Sequence, residues 1–412
     1  MEIVATIFRV IWIAVQAIVA FYVLLPTALL IIYGFKKLFR WSSAPILNAY
    51  SKKDATNFAA IIAAHSDFTL VPPLVDSLLK QQYSKFKVYI VADNIKDPQL
   101  PVQDPRIKLI VPEIPFNDKT KSIKEAISQF DEEHDAFIIF DSDNLVHPGY
   151  LAELDKYFQH GYRAVQTHML PKNTDTLYAK MDASGNHYCN FVDRLMHMEL
   201  GVSSCIWGLG IAVETKLYKQ ILFDGYKKSF ENLGGFDKKM QAAMVSSIPL
   251  LAYAPAAIVY DEKIQDGSKL QKQRTRWIHA YFASIKDGLQ VVWTGIKKFR
   301  PGLVFFGVNL LRPPLFMLLG AAGLLMLFNI WYSPVMAFAW LAAILTFVIT
   351  FFSIVMVMSK DAGIFKAMFH LPFFVLRQVK ALLKINDASK GFLRTSNTKV
   401  VYIEEVLGAA KD

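Results

Sequence analysis

Cysteine is scarce in this sequence, since only Cys189 and Cys205 occur among 412 residues. Two cysteines supply neither a disulfide framework nor a cysteine-rich metal site. Glycine-rich phosphate loops are missing too: the sequence contains neither G-x-G-x-x-G nor G-x-x-x-x-G-K-[ST]. Any phosphate group that this chain binds must therefore be held by other side chains and backbone groups.

A nucleic-acid-binding patch is also missing. The chain has 45 Lys and Arg against 35 Asp and Glu, a formal net charge of +10. Its basic residues flank apolar segments and do not gather into one patch interleaved with aromatic residues. This pattern predicts contact with anionic lipid headgroups and no nucleic-acid partner.

Long apolar runs are present in three places. The first, Ile3–Phe35, is too long for a signal-peptide core, and we interpret it as a retained anchor that spans the membrane at about Ile11–Tyr33. A long buried helix is the alternative. Two further spans are expected at Leu303–Phe328 and Val335–Met358, on either side of the uncharged loop at 329–334.

The orientation of the spans follows from the residues that flank them, because Lys and Arg beside a span stay on the cytoplasmic side. The flanking basic residues are Lys36, Lys37, Arg40, Lys52, Lys53, Lys297, Lys298, Arg300, Lys360 and Lys366. We expect an integral protein of a bacterial inner membrane, with its large domain and C-terminus in the cytoplasm and its N-terminus outside.

The region between the first and second spans alternates strand-like and helix-like segments. Strands are predicted at 58–65, 87–94, 106–112 and 136–144, and helical segments at 71–82 and 121–130. Strand, helix and strand in repeated order predict an α/β domain with a mostly parallel sheet.

Three carboxylates follow the predicted strands: Asp93 ends one, and Asp141 and Asp143 end another. Ligands of open α/β sheets bind beyond the carboxyl ends of the strands, so we expect these side chains in one crevice. One or two carboxylates suffice to bind Mg²⁺ or Mn²⁺ on a substrate phosphate. A solvated turn is the alternative for an isolated D-x-D sequence.

Three further residues are candidates for the same crevice. Lys119 and Lys121 open a predicted helix, where a lysine can bind a diphosphate, although an exposed basic helix start explains them equally well. Asp237 follows a Gly-Gly turn. By itself Asp237 is better explained as a helix N-cap than as a catalytic group.

The sequence QKQRTRW at 271–277 precedes a membrane-proximal segment. It contains the pattern Q-x-x-R-W at Gln273, Arg276 and Trp277. Basic and aromatic residues are common where a chain meets lipid headgroups. Without the upstream acids, a headgroup contact would be the better interpretation.

Taken in order, Asp93, the D-x-D sequence, Asp237 and Q-x-x-R-W beside membrane helices resemble the family 2 glycosyltransferases. The resemblance is to the membrane-integrated group with cellulose, chitin and hyaluronan synthases, and it covers about 55–300 with the flanking spans. It implies a nucleotide-sugar-binding domain of the GT-A type and an inverting hexosyl transfer.

The resemblance implies a role for each donor-side residue. Asp93 would contact the uridine end of a UDP-sugar and Asp141 the nucleotide. Asp143 would bind the Mg²⁺ or Mn²⁺ on the diphosphate. Lys119 would contact the diphosphate, with Lys121 as an alternative.

The remaining roles concern the reaction and the acceptor. Asp237 would be the catalytic base, although Gly-Gly-Phe precedes it where the family has Thr-Glu or Glu. Arg276 would meet the diphosphate, Gln273 the acceptor sugar or the nucleotide, and Trp277 would stack on the acceptor sugar ring.

The chain is thus predicted to have five parts. They are an anchor at 1–35, a cytoplasmic glycosyltransferase domain at 36–281, an interfacial helix at 282–302, two transmembrane helices at 303–358, and an interfacial helix with a cytoplasmic tail at 359–412. The tail segment 391–399 is expected to cover the nucleotide site, by family resemblance alone.

The leading hypothesis is processive extension of a β-linked polysaccharide with outward translocation, although three spans are few for a channel, which interfacial helices or a homo-oligomer would complete. One alternative is a single transfer to a membrane lipid acceptor. Another is a non-catalytic subunit that binds nucleotide or polysaccharide.

Overall fold

The structure is a computed structural model that describes residues 2–41, 55–221, 236–373, 375 and 399–409. Within these residues one eight-stranded sheet has the order β3-β2-β1-β4-β7-β6-β8-β5. Its strands are β1 (Phe58–His65), β2 (Phe86–Asp93), β3 (Ile107–Ile110), β4 (Ala136–Asp141), β5 (Leu145–Val146), β6 (Ala164–Pro171), β7 (Ile211–Glu214) and β8 (Ala252–Asp261).

Helices connect and cover these strands. In the domain they are α2 (Val71–Leu79), α3 (Lys119–Ser128), α4 (Tyr150–Gln159), α5 (Leu177–Asn190), a π-helical turn (Phe191–Leu195), α6 (Met196–Glu199), α7 (Thr215–Lys219), α8 (Phe236–Ser247) and α9 (Gly267–Ala283). Outside it lie α1 (Glu2–Leu38), α10 (Ile285–Lys297), α11 (Pro301–Leu310), α12 (Leu315–Tyr332), α13 (Pro334–Met358), α14 (Ala362–Met368) and a C-terminal helix at Ile403–Ala409.

The centre of the sheet is parallel, as predicted. Strands β3, β2, β1 and β4 pair in parallel, as do β6 and β8, whereas β7 and β5 run antiparallel to their neighbours. Parallel strands are buried on both faces, which explains the apolar runs of β1 and β4. Neighbouring residues point to opposite faces, so Ile61 packs with Phe137 on one side and Ile62 with Phe140 on the other. The predicted α/β fold is confirmed.

Three helices of the described residues are long and apolar enough to cross a membrane: α1, α12 and α13. They pack on one another through polar contacts. The side-chain oxygen of Gln16 in α1 accepts hydrogen bonds from Asn329 of α12 at 3.1 Å and from Trp340 of α13 at 2.9 Å. The hydroxyl oxygens of Thr27 in α1 and Thr350 in α13 are 2.8 Å apart. Such bonds hold helices together where water is absent.

The second span begins later than the sequence predicts. The stretch expected as one helix at 303–328 is divided, because α11 ends at Leu310 and α12 begins at Leu315. Between them stand Pro313 and Pro314. Proline lacks the N–H that a helix needs and disfavours helical backbone in the residue before it. The spanning part is therefore α12, which extends to Tyr332 and leaves only Ser333 before α13.

A helical hairpin lies next to the membrane helices. Helices α10 and α11 approach closely at glycines: a Cβ at Gly295 would lie 2.7 Å from the backbone nitrogen of Val304. The opposite side of α10 exposes Leu289, Trp293 and Ile296. An exposed apolar side is typical of an interfacial helix, and the interfacial location of 282–302 stays a prediction. Of the second expected interfacial segment, residues 374 and 376–384 lie outside the described residues.

Candidate active site

Asp93 lies at the carboxyl end of β2 and is 1% exposed. Its two carboxylate oxygens accept hydrogen bonds from the backbone N–H groups of Phe116 at 2.7 Å and Asn117 at 2.8 Å. Asn117 has a φ of 48°, and its side chain is 2.8 Å from Nε2 of His65 at the end of β1. Asp93 thus fixes the turn that leads into α3, and its predicted contact with uridine stays a prediction.

Lys119 is the first residue of α3 because Asp118 caps this helix, accepting hydrogen bonds from Thr120 and Lys121. The ammonium group of Lys119 donates to Oδ1 of Asp141 at 2.6 Å and to the carbonyl oxygen of Gly208 at 3.0 Å. Burial opposes its charge, but Asp141 and Asp237 outweigh burial and raise its pKa. Of the two candidate lysines, Lys119 is the one inside the crevice, while Lys121 is exposed.

Asp237 occupies the first turn of α8, where the helix dipole favours a carboxylate. Its side chain lies against Gly208: a Cβ at residue 208 would be 2.3 Å from Oδ2 of Asp237. Burial raises the pKa of Asp237 and Asp141 adds to the effect, while Lys119 and Arg276 act in the opposite direction. The structure therefore brings Lys119, Asp141, Asp237 and Arg276 together. The Gly-Gly turn before Asp237 lies outside the described residues.

Asp143 is buried beside this group and receives a hydrogen bond from the side chain of Asn144 at 3.3 Å. Burial, together with Asp261 and Asp141, raises the pKa of Asp143 to about 8. A buried carboxylate among other carboxylates favours a nearby cation. No group of three or more His, Cys, Asp or Glu side chains that could hold a metal occurs among the described residues. A cation held partly by substrate phosphates needs only one or two carboxylates, so Asp143 and Asp141 fit Mg²⁺ or Mn²⁺.

A second set of charged residues, to which the sequence pattern assigned no role, surrounds Asp143. Asp261 ends β8, lies 2.7 Å from Lys263 and accepts a long contact of 3.5 Å from Asn144. Lys172 contacts Glu262 at 3.4 Å and donates to the carbonyl oxygen of Asp143 at 3.0 Å. The available signal was a run of charges, DEK at 261–263, directly after an apolar strand.

The predicted acceptor residues lie on α9. Arg274 pairs with Asp182 of α5, and its guanidinium group lies 4.3 Å from the centre of the Trp277 ring. Trp277 is half-buried. The side-chain oxygen of Gln273 is shielded from solvent and has no hydrogen-bond partner among the described residues. A shielded acceptor atom of this kind suits a substrate hydroxyl group, since buried polar atoms are normally hydrogen-bonded.

The tail reaches this region at Lys399, the first residue described after 375. Its backbone N–H lies 3.2 Å from both carboxylate oxygens of Glu262, and its ammonium group 2.7 Å from Asp175. Residues 391–398 lie outside the described residues, so the expected cover over the nucleotide site stays a prediction.

The fold and the site define the class of protein. A mostly parallel curled sheet with carboxylates at its strand ends, a lysine between them and apolar helices attached has the architecture of a GT-A type transferase. The sequence matches the family described as "Glycosyltransferase like family 2" over residues 55–280, more than half of the chain. The chain belongs to this family and is a glycosyltransferase, as predicted. The synthase subgroup stays a prediction.

The fold is shared with a solved structure of low sequence identity. A mannosyltransferase from Pyrobaculum calidifontis, in complex with GDP-Man and Mn²⁺, has 13% sequence identity, a TM-score of 0.50, and coverage of 91% of this chain and 98% of that chain. TarS residues 1–349 from S. aureus has 12% identity, a TM-score of 0.41, and coverage of 81% and 91%. The comparison with curated proteins gives no match.

Proposed function

We propose that this protein is an inverting glycosyltransferase that moves a sugar from a UDP-sugar to an acceptor at the membrane. The observation that carries the proposal is the contact set around Gly208, where Lys119 binds its carbonyl oxygen and Asp237 lies against its Cα. The ammonium group of Lys119, which would stabilise the leaving group, and the carboxylate of Asp237, which would take the acceptor proton, thus both contact Gly208.

Asp237 is the proposed general base. In an inverting transfer the acceptor hydroxyl attacks the anomeric carbon and loses its proton as the nucleoside diphosphate leaves. A base works best when its pKa is near the working pH, and the raised pKa of Asp237 moves in that direction.

Lys119 and Arg276 are the proposed partners of the leaving diphosphate, with Asp141 and Asp93 on the nucleotide side. Their charges are already held in the crevice, so little reorganisation is needed as negative charge develops. Asp143 would hold the Mg²⁺ or Mn²⁺, which supplies further charge stabilisation to the diphosphate. Gln273 and Trp277 would bind the acceptor sugar.

The membrane helices favour a lipid acceptor. Gln16, Asn329 and Trp340 join α1, α12 and α13 directly, and the Thr27–Thr350 contact closes the same bundle at a second level. Within the described residues these bonds hold the three spanning helices in direct contact with one another, whereas a translocated polysaccharide needs a path between helices. Of the two enzymatic hypotheses, single transfer to a membrane lipid therefore fits one chain better.

Processive extension of a polysaccharide is the second candidate, because Q-x-x-R-W is present and the side-chain oxygen of Gln273, which has no partner in the described part of the chain, suits a sugar hydroxyl. In this chain it needs interfacial helices or a homo-oligomer to complete a channel. Product size separates the two candidates.

The test is release of nucleoside diphosphate by the purified protein in nanodiscs, with a panel of UDP-sugars and GDP-sugars. Release from one donor is expected, with loss on chelation of divalent cations and in Asp143→Asn. The matched control is Asp131→Asn on an exposed aspartate outside the crevice. Unchanged release in Asp143→Asn, or equal loss in Asp131→Asn, contradicts the proposed donor site.

A further inference from the structure

Two tryptophan rings meet edge to face beside the reactive residues. Trp277 of α9 and Trp207, in the loop before β7, have ring centroids 6.0 Å apart with an angle of 66° between their planes. Both side chains are half-buried, so each keeps some surface open to a ligand. Trp207 directly precedes Gly208, the residue that contacts Lys119 and Asp237.

Each tryptophan has an arginine against its ring. Arg274 lies 4.3 Å from the ring centre of Trp277, and Arg194 lies 4.5 Å from the ring centre of Trp207. A guanidinium group is attracted to the face of an indole ring, most strongly where water is excluded. The guanidinium group of Arg274 is held in place by an ion pair with the carboxylate of Asp182.

Arg194 is fully buried in the π-helical turn at 191–195. Its Nη1 donates to the side-chain oxygen of Asn190 at 2.9 Å, and Asn190 in turn donates to the carbonyl oxygen of Met169 at 2.7 Å. Its Nε and Nη2 have no hydrogen-bond partner among the described residues. Unpaired donors on a buried charge cost stability. A function of Arg194, such as its contact with Trp207, would explain why this cost is tolerated.

The backbone of Trp207 is held separately. Its N–H donates to the side-chain oxygen of Gln166 at 3.2 Å, and the amide of Gln166 donates to the carbonyl oxygen of Leu209 at 3.0 Å. The loop is thus fixed by β6, while the indole ring has Arg194 on its face. Removing Arg194 would free the ring without releasing the backbone.

We propose that Arg194 is a positioning residue, which holds Trp207 as the second wall of an acceptor site whose first wall is Trp277. This inference rests on the proposed function, since it concerns the same acceptor. The acceptor that fits such a corner has at least two apolar sugar or ring faces, one for each indole. A terminal disaccharide, or a sugar next to the apolar chain of a lipid, has this chemistry.

The first arm of the test compares two reactions of the protein in nanodiscs: hydrolysis of the donor by water and transfer to added lipid extract. In Trp207→Leu we expect kcat/KM for the acceptor to fall about 10-fold, mainly through KM, while donor hydrolysis stays within about 2-fold. Trp207→Phe keeps an aromatic face and should regain most of the transfer. Arg194→Met should resemble Trp207→Leu, and Arg194→Lys should fall between Arg194→Met and the unaltered protein. The control is Trp331→Leu, at an indole that is 83% exposed at the end of α12.

The second arm does not depend on activity. Two indole rings at 6.0 Å and 66° give an exciton couplet in the circular dichroism spectrum. The couplet should disappear in Trp207→Leu and Trp277→Leu, weaken in Arg194→Met and persist in Trp331→Leu. Thermal unfolding of each variant shows whether it is folded.

The outcomes separate the hypotheses. If Trp207→Leu loses hydrolysis and transfer equally, or loses neither, the proposal that Trp207 forms a wall of the acceptor site is wrong. An unchanged couplet in folded Arg194→Met overturns the positioning role. If the unaltered protein neither hydrolyses nor transfers any donor, the proposed function fails, and the couplet still decides whether Arg194 holds Trp207.

Discussion

At the residue scale, Gly208 joins the two halves of the site. It has a φ of 76°, a conformation that L side chains rarely adopt, and its missing Cβ leaves the space that Asp237 occupies. Gly208→Ala should therefore displace Asp237 and lower the transfer rate at least about 100-fold. Gly185→Ala is the control, because a Cβ at Gly185 of α5 meets nothing within 4 Å. Equal activity of the two variants would show that the contact is unimportant.

The pH dependence of transfer is a second test at the residue scale. A base acts only when deprotonated, so kcat should fall as pH drops through the raised pKa of Asp237. Lys119 lowers that pKa, so Lys119→Met should raise it and move the acid limb of the profile to higher pH. Lys121→Met removes a charge from the same helix but from an exposed side chain, and its limb should stay in place. A limb that moves equally in both variants contradicts the assignment.

The sequence could predict that Lys119, Asp141 and Asp143 lie near one another, because they follow or precede recognisable strands. It could not predict that Asp93 uses both oxygens on the backbone of Phe116 and Asn117. Nor could it find Trp207 and Arg194, which approach only after the loop before β7 and the π-helical turn have folded. Contacts between residues distant in sequence have no local signal in a single sequence.

At the scale of elements, the break between α11 and α12 is one of the places where the domain contacts the membrane helices. Arg312 in this break pairs with Asp193 at 2.7 Å, and both side chains are nearly buried. Tyr281 of α9 donates to the carbonyl oxygen of Leu311, and Tyr22 of α1 to that of Val308. The sequence predicted one span over 303–328 because a single arginine and two prolines change the average hydropathy of this stretch little.

Breaking the Asp193–Arg312 pair should destabilise the protein. Asp193→Asn leaves a buried guanidinium without its carboxylate, at a cost of about 3 kcal/mol, seen as a lower thermal unfolding temperature in detergent. Glu153→Gln, in the exposed Glu153–Lys156 pair, should change stability by less than about 0.5 kcal/mol. The double variant Asp193→Leu/Arg312→Met should regain most of the loss. A stable Asp193→Asn would mean that the pair does not hold the junction.

At the scale of the whole molecule, the predicted orientation places the domain in the cytoplasm and the end of α12 outside. Tyr332, the last residue of α12, is 61% exposed. In intact cells a membrane-impermeant thiol reagent should label Tyr332→Cys. It should not label Ser128→Cys, an exposed position of the domain, until the membrane is opened. Cys189 is half-buried and Cys205 is buried, both in the domain, so they add little background. The reverse labelling pattern would show that the domain lies outside and the end of α12 lies in the cytoplasm.

The most direct test of the central claim is the product formed by the protein in nanodiscs with lipid extract, the active nucleotide-sugar and Mn²⁺. Mass spectrometry and NMR of that product should show a lipid enlarged by one sugar with inverted anomeric configuration, and no product in Asp237→Asn. Retained configuration, or transfer that persists in Asp237→Asn, would contradict the role of Asp237. A high-molecular-weight polymer would contradict the lipid acceptor and support processive extension.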